Sequence, residues 1–86
     1  MEIVYTKQFE KDIKNLPTDM LERIDAVARL LMNNERPGKA LHYVMDVYSV
    51  RIENKRLVYQ LPKNEKKVIF LLFKSREEVY KYISGS

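Results

Sequence analysis

Four cationic side chains and one tyrosine in the second half of the sequence have the types and spacing best suited to chemistry. Arg51 and Arg56 flank a predicted turn, Lys74 and Arg76 follow an apolar segment, and Tyr80 comes one helical turn after Arg76. Converging guanidinium and ammonium groups can hold a phosphodiester and stabilise the extra negative charge of its pentacoordinate transition state. The pattern is therefore compatible with phosphodiester chemistry.

A structural role is the alternative for each of these residues, and taken one at a time they favour it. Arg56 would pair with Glu53 across the turn, Arg76 would pair with the glutamates of the following helix, and Tyr80 would only pack. His42, the single histidine, has three interpretations. We prefer a ring half-buried in a strand over a phosphate contact or a general acid or base that works near neutral pH.

Several other chemistries lack the residues they need. The chain has no cysteine, one histidine, no Gly-rich phosphate loop and no H-E-x-x-H motif, so we expect neither a metal site nor a bound cofactor. The longest apolar run, residues 68–73, is far shorter than the roughly 20 residues that span a bilayer. The N-terminus also lacks a signal-peptide pattern, so we expect a cytoplasmic protein without a membrane partner.

The net charge of +4 is distributed unevenly along the chain. Residues 1–35 carry five Lys/Arg against seven Asp/Glu, residues 36–76 carry ten against three, and residues 77–86 carry one against two. A local excess of +7 is the electrostatic footprint of a protein that binds polyanions. The alternative, at about even weight, is a solvated basic surface that only keeps the protein soluble.

The first half of the chain predicts a short strand at residues 2–5, followed by two helices. Thr6 caps the first helix, whose inward face carries Phe9 and Ile13, and Pro17 ends it. Thr18 caps the second helix. Its apolar stripe consists of Met20, Ile24, Val27 and Leu31. Two amphipathic helices with so short a link are expected to cover one side of a sheet.

The second half predicts strands. Residues 40–45 form a mixed apolar strand, and residues 48–61 form a β-hairpin. With Asn54 and Lys55 as a two-residue loop, Ile52 pairs with Leu57, although a three-residue loop is the alternative. In this register six apolar side chains share one face, and Ser49, Arg51 and Arg56 share the other.

The chain closes with a strand and a helix. Residues 67–73 form a strand with both faces covered, since the apolar residues do not alternate. Ser75 and Glu78 form a capping box for a helix that carries Val79 and Ile83 inward. We expect one domain over residues 1–83 and a flexible tail at residues 84–86.

Three segments resemble the RelE/ParE toxin superfamily. Residues 55–60 (KRLVYQ) are similar to its [GHK]-[YH]-R-[LV]-[VI]-Y signature, and residues 76–80 (REEVY) are similar to its H-R-x-[DE]-V-Y ending. Residues 5–12, with Leu16 and Pro17, look like its opening strand and helix. The resemblance implies a small α+β RelE-like (microbial RNase-like) fold in the order β-α-α-β-β-β-α. Its mostly antiparallel sheet would carry the N-terminal helix hairpin on one side.

The resemblance also implies roles for the cationic residues. Arg56 matches the catalytic arginine of the family, Tyr80 its tyrosine, Arg51 a strand lysine, and Lys74 and Arg76 two C-terminal basic residues. A lysine that served as the base would need a lowered pKa, which a crowd of like charges favours.

Two positions depart from the family pattern. Ser75 stands where many members have histidine, and Lys39 stands about where the YoeB branch has a glutamate base. Cations with a tyrosine, as in the RelE branch, are therefore favoured over an acid–base pair. The residues expected to contact RNA are Lys39, His42, Ser49, Lys55 and Ser75.

The function that the resemblance implies is that of a type II toxin. The favoured form is a ribosome-dependent, metal-independent mRNA endonuclease that inhibits translation. A ParE-like inhibitor of DNA gyrase without nuclease activity is the alternative. The expected partners are an acidic cognate antitoxin, the ribosome and mRNA.

Overall fold

Eight helices and strands build the part of the chain that the computed structural model describes, residues 1–42 and 44–83. The predicted tail at residues 84–86 lies outside the described residues. The elements in chain order are β1 (Glu2–Tyr5), α1 (Lys7–Ile13), α2 (Thr18–Met32), β2 (Lys39–Ala40), β3 (Val47–Ile52), β4 (Lys55–Gln60), β5 (Lys67–Ser75) and α3 (Arg76–Ile83). The strands form one sheet in the order β1-β5-β4-β3-β2, in which β1 and β5 are parallel and the other pairs are antiparallel.

Helices α1 and α2 cover one face of the sheet, as predicted. Thr6 caps α1 by accepting a hydrogen bond from the backbone N–H of Phe9. Phe9, Ile24, Val27 and Leu31 are buried against apolar residues of β4 and β5. Fully burying a side chain of this size contributes about 1.5–3 kcal/mol, so this face supplies the main core.

Helix α3 covers part of the other face. The capping box is confirmed: Ser75 Oγ accepts from the backbone N–H of Glu78 at 3.4 Å, and the Glu78 carboxylate accepts from the backbone N–H of Ser75 at 3.4 Å. Val79 is buried in a smaller core with Val47, Val58 and Leu72, and Ile83 packs against it. The rest of this face, toward the hairpin, is left for polar side chains.

The predicted hairpin is right in its faces and wrong in its register. Glu53 and Asn54 form the loop, Val50 pairs with Leu57, and Ile52 pairs with Lys55. The strands are therefore shifted by two residues, which leaves every side chain on its predicted face, so the apolar pattern could not distinguish the two registers. The φ of Glu53, 55°, is uncommon for a residue other than glycine or asparagine, which explains why the sequence pattern favours a loop one position later.

Two predicted boundaries are also wrong. Pro17, not Thr18, is the N-cap of α2: with φ of −62° and ψ of 155° its backbone is extended, and the helix begins at Thr18. In the region of the predicted strand at residues 40–45, only Lys39–Ala40 pairs with β3, and Tyr43 lies outside the described residues. A positive φ of 60° at Asp46 bends the chain just before β3. Within residues 1–42 and 44–83, four strands thus follow α1 and α2, one more than in the implied order.

In the described segments, none of the helices is long and apolar enough to cross a membrane.

Candidate functional site

Three of the cationic residues form a row across the sheet. Arg51 on β3 lies directly opposite Arg56 on β4, and Arg56 lies opposite Lys74 on β5. They are on the face that α3 partly covers, because Arg56 stands two residues before the buried Val58 of that face. Like charges directly opposite each other destabilise a strand pair. The arrangement therefore opposes stability and concentrates positive charge at one place.

A cleft of about 540 Å³ opens beside this row. Arg51, Arg56 and Arg76 line it together with Tyr80. The guanidinium carbon of Arg76 lies 5.9 Å from the centre of the Tyr80 ring, which is within the range of a cation–π contact. The first turn of α3, fixed by its capping box, thus brings Arg76 to the two arginines of the hairpin.

The three arginines lining the cleft are not neutralised by carboxylates. Over the described ranges, no Asp or Glu oxygen lies within 4.0 Å of a nitrogen of any of the three. Glu53 lies 3.7 Å from Arg23 instead, and Arg51 Nε donates to the Glu53 backbone oxygen at 3.1 Å. The ion pairs of the structural alternative, Arg56 with Glu53 and Arg76 with the cap glutamates, are therefore not formed.

Lys74 is held away from the cleft. Its Nζ lies 2.8 Å from Asp12 Oδ1, and the two side chains are only 14% and 6% exposed. Nζ also lies 5.0 Å from the centre of the Tyr82 ring. The hydrogen bond to Asp12 raises the pKa of Lys74, so the lowered pKa expected of a lysine base is not found.

Lys55 and Ser75 also lie outside the cleft. They pair with each other at the ends of β4 and β5. Lys55 Nζ lies 5.6 Å from the centre of the buried Phe73 ring, on the face that α1 and α2 cover. Ser75 is engaged in the capping box. Neither side chain is placed beside the three arginines.

Lys39, His42 and Ser49 do line the cleft, on its far side. His42 is exposed and follows β2 in a turn, so the preferred interpretation of a half-buried strand histidine is wrong. Lys39 is the cross-strand partner of Ser49. The wall also contains the apolar side chains of Ala40, Leu41 and Val79.

Gly38 shapes the cleft, and the sequence analysis did not identify it as a site residue. Its φ is 85°, and a Cβ at this position would lie 2.2 Å from the backbone oxygen of Ser49. Only glycine therefore allows β2 to approach β3 so closely. The adjacent Pro37 and Gly38 predict a turn, but nothing in the sequence shows the contact with β3.

A second groove, of about 450 Å³, lies at the opposite end of the sheet. Its lining includes Arg36, Lys63 and Lys67 together with the acidic Asp46 and Glu65. Lys67 Nζ is within 3.0 Å of Glu65 Oε1. Because its charges have both signs, this groove is less suited to a polyanion than the cleft at Arg56.

The arrangement in the cleft fits a phosphodiester. Three unneutralised guanidinium groups can bind phosphate oxygens and the charge of a pentacoordinate phosphorus. Tyr80, which is 47% exposed, offers a ring on which a base can stack.

The chain is similar to proteins of toxin–antitoxin systems. The family model described as "ParE toxin of type II toxin-antitoxin system, parDE" matches residues 3–80. No curated protein matches the chain.

Solved structures share the fold. A chain of the RelB–RelE antitoxin–toxin complex from Methanococcus jannaschii is 21% identical with a TM-score of 0.73, covering 93% of this chain and 98% of that one. A chain of the intact E. coli RelBE complex is 17% identical with a TM-score of 0.73, covering 86% and 94%. The YoeB/ParE toxin from Agrobacterium tumefaciens is 16% identical with a TM-score of 0.73, covering 88% and 99%. The predicted RelE-like α+β fold is confirmed.

Proposed function

The chain belongs to the ParE toxin family of type II toxin–antitoxin systems, within the RelE/ParE superfamily, and we propose that it acts as a ribosome-dependent mRNA endonuclease. The observation that carries the proposal is the cleft in which Arg51, Arg56 and Arg76 meet without a neutralising carboxylate among the described residues. A surface that only binds a protein target does not need three guanidinium groups around one cavity. A phosphodiester gains negative charge in its transition state, and three guanidinium groups around the cavity can stabilise that charge.

The proposed reaction is an attack within the RNA itself. The 2′-oxygen of one nucleotide forms a bond to the adjacent phosphorus, and the bond from phosphorus to the 5′-oxygen of the next nucleotide breaks. The products are a 2′,3′-cyclic phosphate and a 5′-hydroxyl. His42 accepts the proton of the 2′-hydroxyl, and the departing 5′-oxygen takes a proton from water.

The other cleft residues stabilise the transition state and orient the RNA. Arg56 and Arg76 neutralise the developing charge on the phosphorane oxygens, and Arg51 holds the adjacent backbone. Tyr80 stacks on a base and fixes the strand so that the 2′-oxygen lies in line with the scissile bond. Lys74 takes no direct part, because Asp12 holds its ammonium group.

Two assays on the same purified protein test the proposal. Primer extension on a message in a translating extract should show new 5′ ends within the coding region. Supercoiling by DNA gyrase should be unaffected at the same protein concentration. An intact message would refute the nuclease, whatever the gyrase assay shows.

Gyrase inhibition is the second candidate, because the family model that matches is described as a ParE toxin. Such an inhibitor binds a protein and does not need the phosphate site. Replacing Arg56 and Tyr80 by alanine should therefore abolish toxicity if the chain is a nuclease. Toxicity that survives both changes, with loss of supercoiling, would establish the inhibitor.

A cognate antitoxin is the expected partner, since structures that share the fold include RelB–RelE and RelBE complexes. Residues 36–76 carry a net charge of +7, so an acidic segment that folds on binding would complement the cleft side of the protein. A pull-down of this chain by the product of a neighbouring gene, weakened by salt, would support this. Normal growth of cells that express the chain alone would contradict it.

A further inference from the structure

Apart from His42, the residues on the far side of the cleft take no part in the cleavage chemistry. Its wall is apolar at Ala40, Leu41 and Val79, and Ser49 is its buried polar residue. Ser49 is 8% exposed, and within the described residues its Oγ has no hydrogen-bond partner. A buried hydroxyl without a partner lowers stability. The presence of such a hydroxyl in a cleft points to a ligand that supplies the missing hydrogen bond.

The Ser49 row lies next to the phosphate row. Ser49 and Arg51 are on the same face of β3, two residues and about 7 Å apart. Ser49 faces Lys39 on β2 and Val58 on β4, as Arg51 faces Arg56. One nucleotide can therefore reach both rows, with its phosphate at the arginines and its base toward Ser49.

We propose that this far side is a subsite for a single unstacked nucleobase of the RNA beside the scissile phosphate. The flat faces of the base cover Leu41 and Val79, and an edge of the base forms a hydrogen bond with the Ser49 hydroxyl. Lys39, exposed at the rim, turns aside to admit it. The subsite rests on the proposed nuclease function and adds to it the residue that reads the base.

A hydroxyl can donate and accept a hydrogen bond. The subsite should therefore favour a base that fits between the apolar walls and whose edge carries a donor or an acceptor. A hydrogen bond of this kind is worth about 0.5–1.5 kcal/mol, which corresponds to roughly a two- to twelvefold preference between bases. The preference should be local, at one nucleotide next to the cut.

The test is Ser49→Ala, with Thr18→Ala on the exposed start of α2 as the matched control. Cleavage sites are mapped by primer extension on messages that differ only in the base beside a strong site. We expect Ser49→Ala to lose its base preference by about two- to twelvefold, whereas Thr18→Ala keeps the wild-type preference. An unchanged preference in Ser49→Ala would overturn the subsite.

A second readout does not depend on cleavage. Removing an unpaired hydroxyl should raise the midpoint of thermal unfolding of the free protein, because its desolvation penalty disappears. A lower midpoint would show that the hydroxyl has a structural partner and would overturn the inference. A wild-type protein that leaves every message intact would instead refute the nuclease, and the subsite with it.

Discussion

Arg51 and Arg56 face each other across the β3–β4 hairpin, and Arg76 joins them from the start of α3. Arginine delocalises its charge over a planar fork that matches two phosphate oxygens, which an ammonium group cannot do. The pair opposes sheet stability, since like charges directly opposite repel. The placement of these arginines is best explained by a role in binding a ligand.

Replacing Arg56 by alanine separates its effect on cleavage from its effect on stability. We expect cleavage to slow by roughly 10²–10³, as on loss of a preorganised charge donor, while the free energy of unfolding changes by no more than about 0.5 kcal/mol. Arg56→Lys should recover part of the activity. Rates of mRNA cleavage and circular dichroism melts on the same preparations measure both quantities.

Arg29→Ala is the matched control, because Arg29 is an exposed residue of α2 that pairs with Asp25 within the helix. It should cleave like the wild type. An Arg56→Ala protein that is unfolded would assign Arg56 to the fold, and one that is stable and fully active would remove it from the mechanism.

His42 is the residue whose role the structure changed most, from a half-buried ring to an exposed one at the cleft. If it accepts the 2′-hydroxyl proton, His42→Gln should slow cleavage by about 10²–10⁴. Initial rates of mRNA cleavage in a translating extract measure the effect. A His42→Gln protein that cleaves at the wild-type rate would show that another group is the base.

Tyr59 should make the protein sensitive to alkali. Its hydroxyl donates to the Pro37 backbone oxygen at 2.7 Å, and burial raises its pKa from 10.0 to about 12. The neutral phenol is thus favoured in the folded state, so its contribution is complete below pH 10 and is lost as the pH rises to about 12. The shift corresponds to about 3 kcal/mol.

Tyrosinate absorbance and circular dichroism, followed together through this range, check the expectation. Tyr59→Phe should be less stable at neutral pH by about 1–3 kcal/mol, because the Pro37 oxygen loses its donor, and should lose less stability above pH 10. Equal alkaline losses in both proteins would mean that other groups, such as the lysines, control the transition.

At the level of the elements, the cleft depends on how the end of β5 is held. Asp12 on α1 accepts a hydrogen bond from the backbone N–H of Phe73 at 3.0 Å and pairs with Lys74. Gln8 donates to the same carboxylate at 2.8 Å. Asp12 thereby joins α1 to β5 just before α3 begins, and so fixes where Arg76 enters the cleft.

Asp12→Ala should therefore be costly. It leaves the Lys74 ammonium unpaired in a site only 14% exposed and the Phe73 N–H without a partner, which predicts a loss of about 3–5 kcal/mol in urea unfolding. Combining Asp12→Asn with Lys74→Met should recover most of the loss, because the amide can still accept from Phe73 and no charge is left buried. A loss below about 0.5 kcal/mol for Asp12→Ala would contradict the account.

The sequence predicted the elements better than their contacts. Thr6, the apolar stripe of α2 and the Ser75–Glu78 box follow from local spacing, and all three were confirmed. The hairpin register was missed because a shift of two residues preserves both faces. Asp12 and Lys74 are 62 positions apart, and no local pattern indicates that they meet.

The cleft itself was partly foreseeable. Arg51 and Arg56 follow from period-two alternation, and Arg76 with Tyr80 follows from helical spacing. That the two pairs share one cavity depends on α3 packing over β5 and β4, which is a property of the tertiary structure. The exposure of His42 follows from β2 being only two residues long, and the need for glycine at position 38 follows from its close approach to the Ser49 backbone.

At the scale of the whole molecule, the two faces of the sheet differ in structure and in charge. The face under α1 and α2 contains the main core, and most of the opposite face toward the hairpin carries the cationic cleft. The excess charge lies in residues 36–76, which include β2 to β5, whereas residues 1–35 have a net charge of −2. A polyanion should therefore approach from the cleft side, at a rate that falls with salt.

The central claim is that this cleft cuts mRNA through the 2′-hydroxyl of the message. It is tested most directly by placing a single 2′-deoxynucleotide immediately 5′ to a mapped cleavage site and repeating primer extension in a translating extract. We predict that cleavage disappears at that site and persists at the other sites of the same message. Cleavage of the deoxy-substituted site at the rate of the unmodified one would contradict the mechanism.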